Sequence, residues 1–95
     1  MRGTPDNLPF DSHQRQYESL DGYCLILFND DVNSFVFIVD SLVDICQHNP
    51  IQAEQCTMIA HYNGKCEVKL GSHDQLLDMK REFDRKGITT SICEN

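Results

Sequence analysis

Ninety-five residues, 40% of them hydrophobic, carry a formal net charge of −7, with eight Lys or Arg against fifteen Asp or Glu. A chain of that size builds one small domain around a single core, and its acidic balance argues against a nucleic-acid face, which runs on Lys and Arg. No apolar run reaches the roughly eighteen residues of a membrane span, so no membrane partner is expected.

Residues 1–20 mix Pro5, Pro9, Asp6, Asn7 and Asp11 with little periodicity and are expected to form a flexible N-terminal extension, with Leu8-Pro9-Phe10 as its one apolar spot. Residues 21–95 then form the core domain. Tyr23, Leu25, Ile26, Leu27 and Phe28, bounded by Asp21-Gly22 and Asn29-Asp30, predict a buried strand. Asn33 or Ser34 caps a following helix whose Phe35, Ile38, Leu42 and Ile45 recur at helical spacing. Val36, Phe37, Val39 and Val43 put apolar side chains on its other faces, so that helix should be widely buried or lie beneath a partner surface.

Asn49 as N-cap and Pro50 at the first helical position start a second helix over residues 50–62, which Asn63-Gly64 ends. A short strand passes through Val68 and Leu70. Ser72 and Gln75 fit a capping box for a third helix, which puts Leu76, Met79 and Phe83 on one face and stops at Gly87. Lys80, Arg81, Arg85 and Lys86 on that segment read as a solvated face with cations toward the helix C-terminus. Residues 88–93, rich in β-branched side chains, make the last strand. The order β-α-α-β-α-β describes a small α+β domain, a three-stranded sheet with helices on one face.

The five cysteines, odd in number and without a C-x-x-C pair or a preceding secretory segment, read as reduced thiols of a cytoplasmic protein. Chemistry concentrates elsewhere, at Asn29-Asp30-Asp31 after the first strand and at His61-Tyr62-Asn63-Gly64 closing the second helix. A calcium site would need six to eight oxygens and lacks the D-x-D-x-D-G spacing. A zinc site finds Cys56 and Cys66 only at five residues on either side of His61. A Cys/His nucleophile lacks a Gly-rich oxyanion turn. Capture of an ammonium group suits the residues, because a donor-only cation wants a carboxylate, an amide oxygen and a neutral imidazole nitrogen. The plainer alternative is that Asn29-Asp30 form a turn and His61 a helix-capping cation.

Taken together, I-L-F-N-D-D, the helix segment F-V-F-I-V-D-S-L and A-H-Y-N-G-K resemble the ClpS family, adaptors that deliver N-degron substrates to a AAA+ Clp protease. The resemblance covers residues 23–92 and implies the same β-α-α-β-α-β fold behind a flexible extension, with no cofactor, metal or enzymatic activity. It implies that Asn29, Asp30 and His61 hold the substrate's α-amino group. Asp31, Asn33, Phe35, Ile38, Thr57 and Ala60 would form the loop and pocket for a large hydrophobic first side chain. The implied partners are a Clp AAA+ unfoldase of the ClpA or ClpC type and proteins that begin with Leu, Phe, Tyr or Trp. Asp74 and Lys80 are candidates for the unfoldase-facing surface. The family often has Thr at Asn33, Met at Phe35 and Thr57, and Val at Ile38 and Ala60, so the pocket here has its own shape. The alternative is a non-degradative protein-interaction module with a fold like the ribosomal stalk protein's C-terminal domain.

Overall fold

The computed structural model describes residues 22–95, and the expected extension with Leu8-Pro9-Phe10 lies outside them. Six elements follow in the expected order: β1 (Tyr23–Phe28), α1 (Phe35–Cys46), α2 (Pro50–Asn63), β2 (Lys65–Gly71), α3 (His73–Arg85) and β3 (Thr90–Glu94). The sheet order is β2-β1-β3 with both pairings antiparallel. The most apolar strand takes the centre, where a strand is shielded on both edges. Its Leu25 and Leu27 point to the helix-covered face and join Ile38, Leu42, Ile45, Leu76, Phe83 and Ile88 in one core.

Each helix begins where a short polar side chain can satisfy a free backbone N–H. Ser34 Oγ accepts from Phe37 N at 3.1 Å, Asn49 Oδ1 from Gln52 N at 2.8 Å, and Ser72 Oγ from Gln75 N at 3.2 Å. Since Ser34 takes the α1 cap, Asn33 is released for another task. Helix α2 runs one residue past the expected end to Asn63, and Gly64 closes it at a φ of 94° that suits a residue without Cβ.

Strand β3 starts later than expected. Ile88 is buried and its N–H donates to Phe83 O at 2.9 Å, so this residue completes the end of α3 before pairing begins. Helix α1 is buried on one face rather than widely: Ile38, Val39, Leu42 and Ile45 face the core, while Phe35, Val36 and Phe37 are exposed.

The β1–β2 ladder carries one irregularity that no local residue pattern marks. The β1–β2 register shifts between Leu25 and Ile26, which leaves Val68 bulged from the ladder. Buried His48 donates Nε2–H to Val68 O at 2.7 Å, supplying the partner the ladder omits and tying the α1–α2 connection to the sheet. All five cysteines are free. Burial pushes the Cys46 thiol up to about 12, so it behaves as a small core hydrophobe. Among the described residues no helix is long and apolar enough to cross a membrane.

Candidate functional site

Antiparallel pairing explains why two polar motifs so far apart in sequence meet. Phe28 pairs with Lys65, the first residue of β2, and Asn29 N donates to Gly64 O at 2.9 Å. Asn29-Asp30 therefore emerge beside the C-terminal end of α2. His61 lies within the last turn of that helix and overlooks them.

Asp30 is first of all a turn former. Its Oδ1 accepts from Val32 N at 2.8 Å and Asn33 N at 2.9 Å, and its Oδ2 accepts from Asn33 Nδ2 at 2.6 Å. The second hydrogen of Asn33 Nδ2 reaches Gly87 O at 3.1 Å, which anchors the loop to the end of α3. Burial by itself pushes the Asp30 carboxyl up. The hydrogen bonds from the Asn33 side chain and from the backbone of Asn33 and Val32 outweigh it and hold the group below its ordinary 3.8. A carboxylate has about four lone-pair sites, so among the described residues the loop leaves room for one more donor, at Oδ2.

The neighbouring residues are less engaged. Among the described residues Asn29 Nδ2 makes a long 3.5 Å contact to Asp31 Oδ1, and no donor is bonded to the amide oxygen of Asn29. His61 is exposed and packs edge-on against Tyr62, with ring centroids 4.9 Å apart.

These groups form one rim of a cavity of about 360 Å³ lined by Leu27, Phe28, Asn29, Asp30, Asn33, Phe35, Ile38, Thr57, Met58, Ala60, His61 and Tyr62. Leu27, Ile38, Thr57 and Ala60 are the buried members, and Phe35, Met58 and Tyr62 are exposed at the mouth. Thr57 bends its hydroxyl back to donate to Ala53 O at 2.8 Å, so its proton is used within the helix. Among the described residues no Lys or Arg lines the cavity.

Of the residues singled out from sequence, Asn29, Asp30, Asn33, Phe35, Ile38, Thr57, Ala60 and His61 converge on this cavity, whereas Asp31 is exposed and outside its lining. Leu27, Phe28, Met58 and Tyr62 were missed. Their signal was positional: two end the strand just before the polar triplet, and two share one edge of α2 a helical turn apart. Asp74 and Lys80 lie on α3, away from the cavity. Asp74 is fully exposed near the helix start, and Lys80 Nζ pairs with Asp84 Oδ2 at 3.2 Å. Among the described residues no three His, Cys, Asp or Glu side chains are arranged to hold a metal ion.

A family model described as ATP-dependent Clp protease adaptor protein ClpS matches residues 18–89. Among solved structures, the chain is similar to Agrobacterium tumefaciens ClpS2 bound to L-phenylalaninamide, with a TM-score of 0.69 and 17% identity over 80% of this chain and 99% of that one. No curated protein sequence matches at a significant level. At 17% identity the structural likeness speaks for the fold, while the family model covers most of the chain.

Proposed function

The chain belongs to the ClpS family of Clp protease adaptors, and from that premise we propose that its cavity receives the first residue of an N-degron substrate. Asn29, Asp30 and His61 hold the free α-amino group. The large hydrophobic side chain, that of Leu, Phe, Tyr or Trp, enters among Leu27, Ile38, Thr57 and Ala60, with Asn33 and Phe35 at the mouth.

The observation that carries this reading is a set of spare acceptors on one rim of an apolar cavity. An ammonium group only donates. Asn29 Oδ1, the remaining site on Asp30 Oδ2 and the acceptor nitrogen of a neutral His61 match its three N–H bonds. Asp31, exposed beside them, adds negative charge and orients Asn29. The ligand in the Agrobacterium structure, L-phenylalaninamide, has the same two parts, a free amine and a large apolar side chain.

Charge-assisted bonds of this kind contribute roughly 1.5–3 kcal/mol each, and burying a Leu or Phe side chain about as much. After association costs, affinities of about micromolar follow, suited to binding and release. The mechanism is recognition without a chemical step. Delivery would be to a Clp AAA+ unfoldase of the ClpA or ClpC type, with Asp74 and Lys80 on α3 as candidate contacts. Calorimetry with peptides beginning Leu, Phe, Tyr or Trp tests the reading: the free-amine forms bind and the N-acetylated forms do not. Equal binding of both forms would refute it.

A further inference from the structure

Helix α2 reverses the usual burial of a surface helix. It buries only the small side chains Ala53, Thr57 and Ala60, whereas Ile51, Met58, Ile59 and Tyr62 are 69%, 46%, 43% and 74% exposed. Scattered exposed apolar residues are ordinary, but these form a row. At 3.6 residues per turn, Ile51, Met58 and Tyr62 fall within about 40° of one line along the helix, with Ile59 on its flank.

Charge is nearly absent as well. Glu54 is the only Asp, Glu, Lys or Arg in the 14 residues of α2. Charge depletion with Met and aromatic side chains at the surface is the composition of a contact face.

The row is continuous with the cavity at one end, since Met58 and Tyr62 form part of the cavity wall. At the other end Ile51 lies in a shallow depression with Pro50 and Gln55. We infer that the outward face of α2 is a docking surface for the segment of substrate that follows its first residue, bound in extended form with apolar side chains toward the helix. The inference rests on the amine-and-pocket reading above, and continuity with that pocket selects the occupant. A chain whose first residue fills the cavity leaves it past Met58 and Tyr62. The eleven residue steps from Tyr62 to Ile51 span about 16 Å along the helix, which about five extended residues cover. Side chains alternate along such a chain, so the third and fifth share the side of the first.

Calorimetry on the full chain tests this with three ligands: a Phe-initiated dipeptide amide, a Phe-initiated heptapeptide with Leu at positions three and five, and the same heptapeptide with Ser there. The Leu heptapeptide should bind about tenfold more tightly than the other two. Ile51→Ser, a change at an exposed position outside the cavity, should reduce that advantage about threefold or more and leave the dipeptide amide unaffected. Equal binding of all three ligands overturns the proposal. So does an Ile51→Ser variant that keeps the heptapeptide advantage but loses self-association or unfoldase binding, because the face then belongs to a second copy or to the unfoldase. If the dipeptide amide fails to bind the native chain, the amine-pocket reading falls and this proposal falls with it.

Discussion

Helices α2 and α3 are nearly the same length, 14 and 13 residues, and differ in what they bury and what they show. Helix α3 sinks Leu76 and Phe83 into the core and carries Asp74, Asp78, Lys80, Arg81, Glu82, Asp84 and Arg85. Helix α2 sinks Ala53, Thr57 and Ala60 and carries Ile51, Met58, Ile59 and Tyr62 outward. The difference separates two jobs. Large buried side chains make α3 a main source of stability, and its charges keep its outer face solvated. Small buried side chains let α2 approach the core closely and leave Met58 and Tyr62 to wall the cavity.

The largest expected effect follows from exchanging those roles. Phe83→Ala should lower stability by roughly 3–5 kcal/mol, a large part of the roughly 5–15 kcal/mol that holds a small domain folded. Tyr62→Ala, on the exposed edge of α2, should change stability by less than about 0.5 kcal/mol and weaken binding of Phe-initiated peptides. Urea unfolding beside peptide calorimetry separates the two; a Tyr62→Ala protein as unstable as Phe83→Ala would erase the contrast.

A smaller effect is expected at Asp30, whose carboxylate holds the loop through three bonds and would give its remaining acceptor position to the proposed ligand. Asp30→Ala should weaken every free-amine peptide alike, by roughly 1.5–3 kcal/mol, or about ten- to a hundredfold. Phe35→Met, at the mouth, should instead re-rank Leu, Phe, Tyr and Trp. Asp30 also gives stability a pH signature. Its folded value lies below the ordinary 3.8, so its contribution is fully present above that pH and is lost as pH falls through the lowered folded value. The stability gap between the native chain and Asp30→Asn, measured by urea unfolding at a series of pH values, should therefore narrow below about pH 4. A constant gap would mean that the Asn33 and Val32 hydrogen bonds do not favour the charged form.

The smallest effect is expected on α3's outer face. Lys80→Ala removes an exposed i,i+4 pair with Asp84, worth about 0.3–0.5 kcal/mol. A loss of unfoldase binding without a larger change in stability would assign Lys80 to delivery rather than to a solvated face.

Much of this arrangement was readable in the chain because its signals are local. Ser34, Asn49-Pro50, Ser72 and Gly64 act within one turn, so the helix ends follow from them to within a residue or two. The candidate site was legible as two motifs, Asn29-Asp30 and His61. Their meeting depends on the β1–β2 register, which has no mark at either motif. What stayed hidden needed long-range contacts. The bulge at Val68 is invisible because Val68 and Leu70 alternate as in any strand, and only His48 from the α1–α2 connection reveals it. Asn33 could have capped α1; its bonds to Asp30 and Gly87 depend on the end of α3, far along the chain. Turn and binding site also looked like competing readings of Asp30, although three filled acceptor positions leave one open.

A crystal structure of the chain with L-phenylalaninamide tests the central claim most directly. The amine nitrogen should lie roughly 2.7–3.2 Å from Asn29 Oδ1, Asp30 Oδ2 and a His61 ring nitrogen, with the phenyl ring among Leu27, Ile38, Thr57 and Ala60. A ligand bound with its amine turned to solvent, or seated elsewhere on the molecule, would contradict the account.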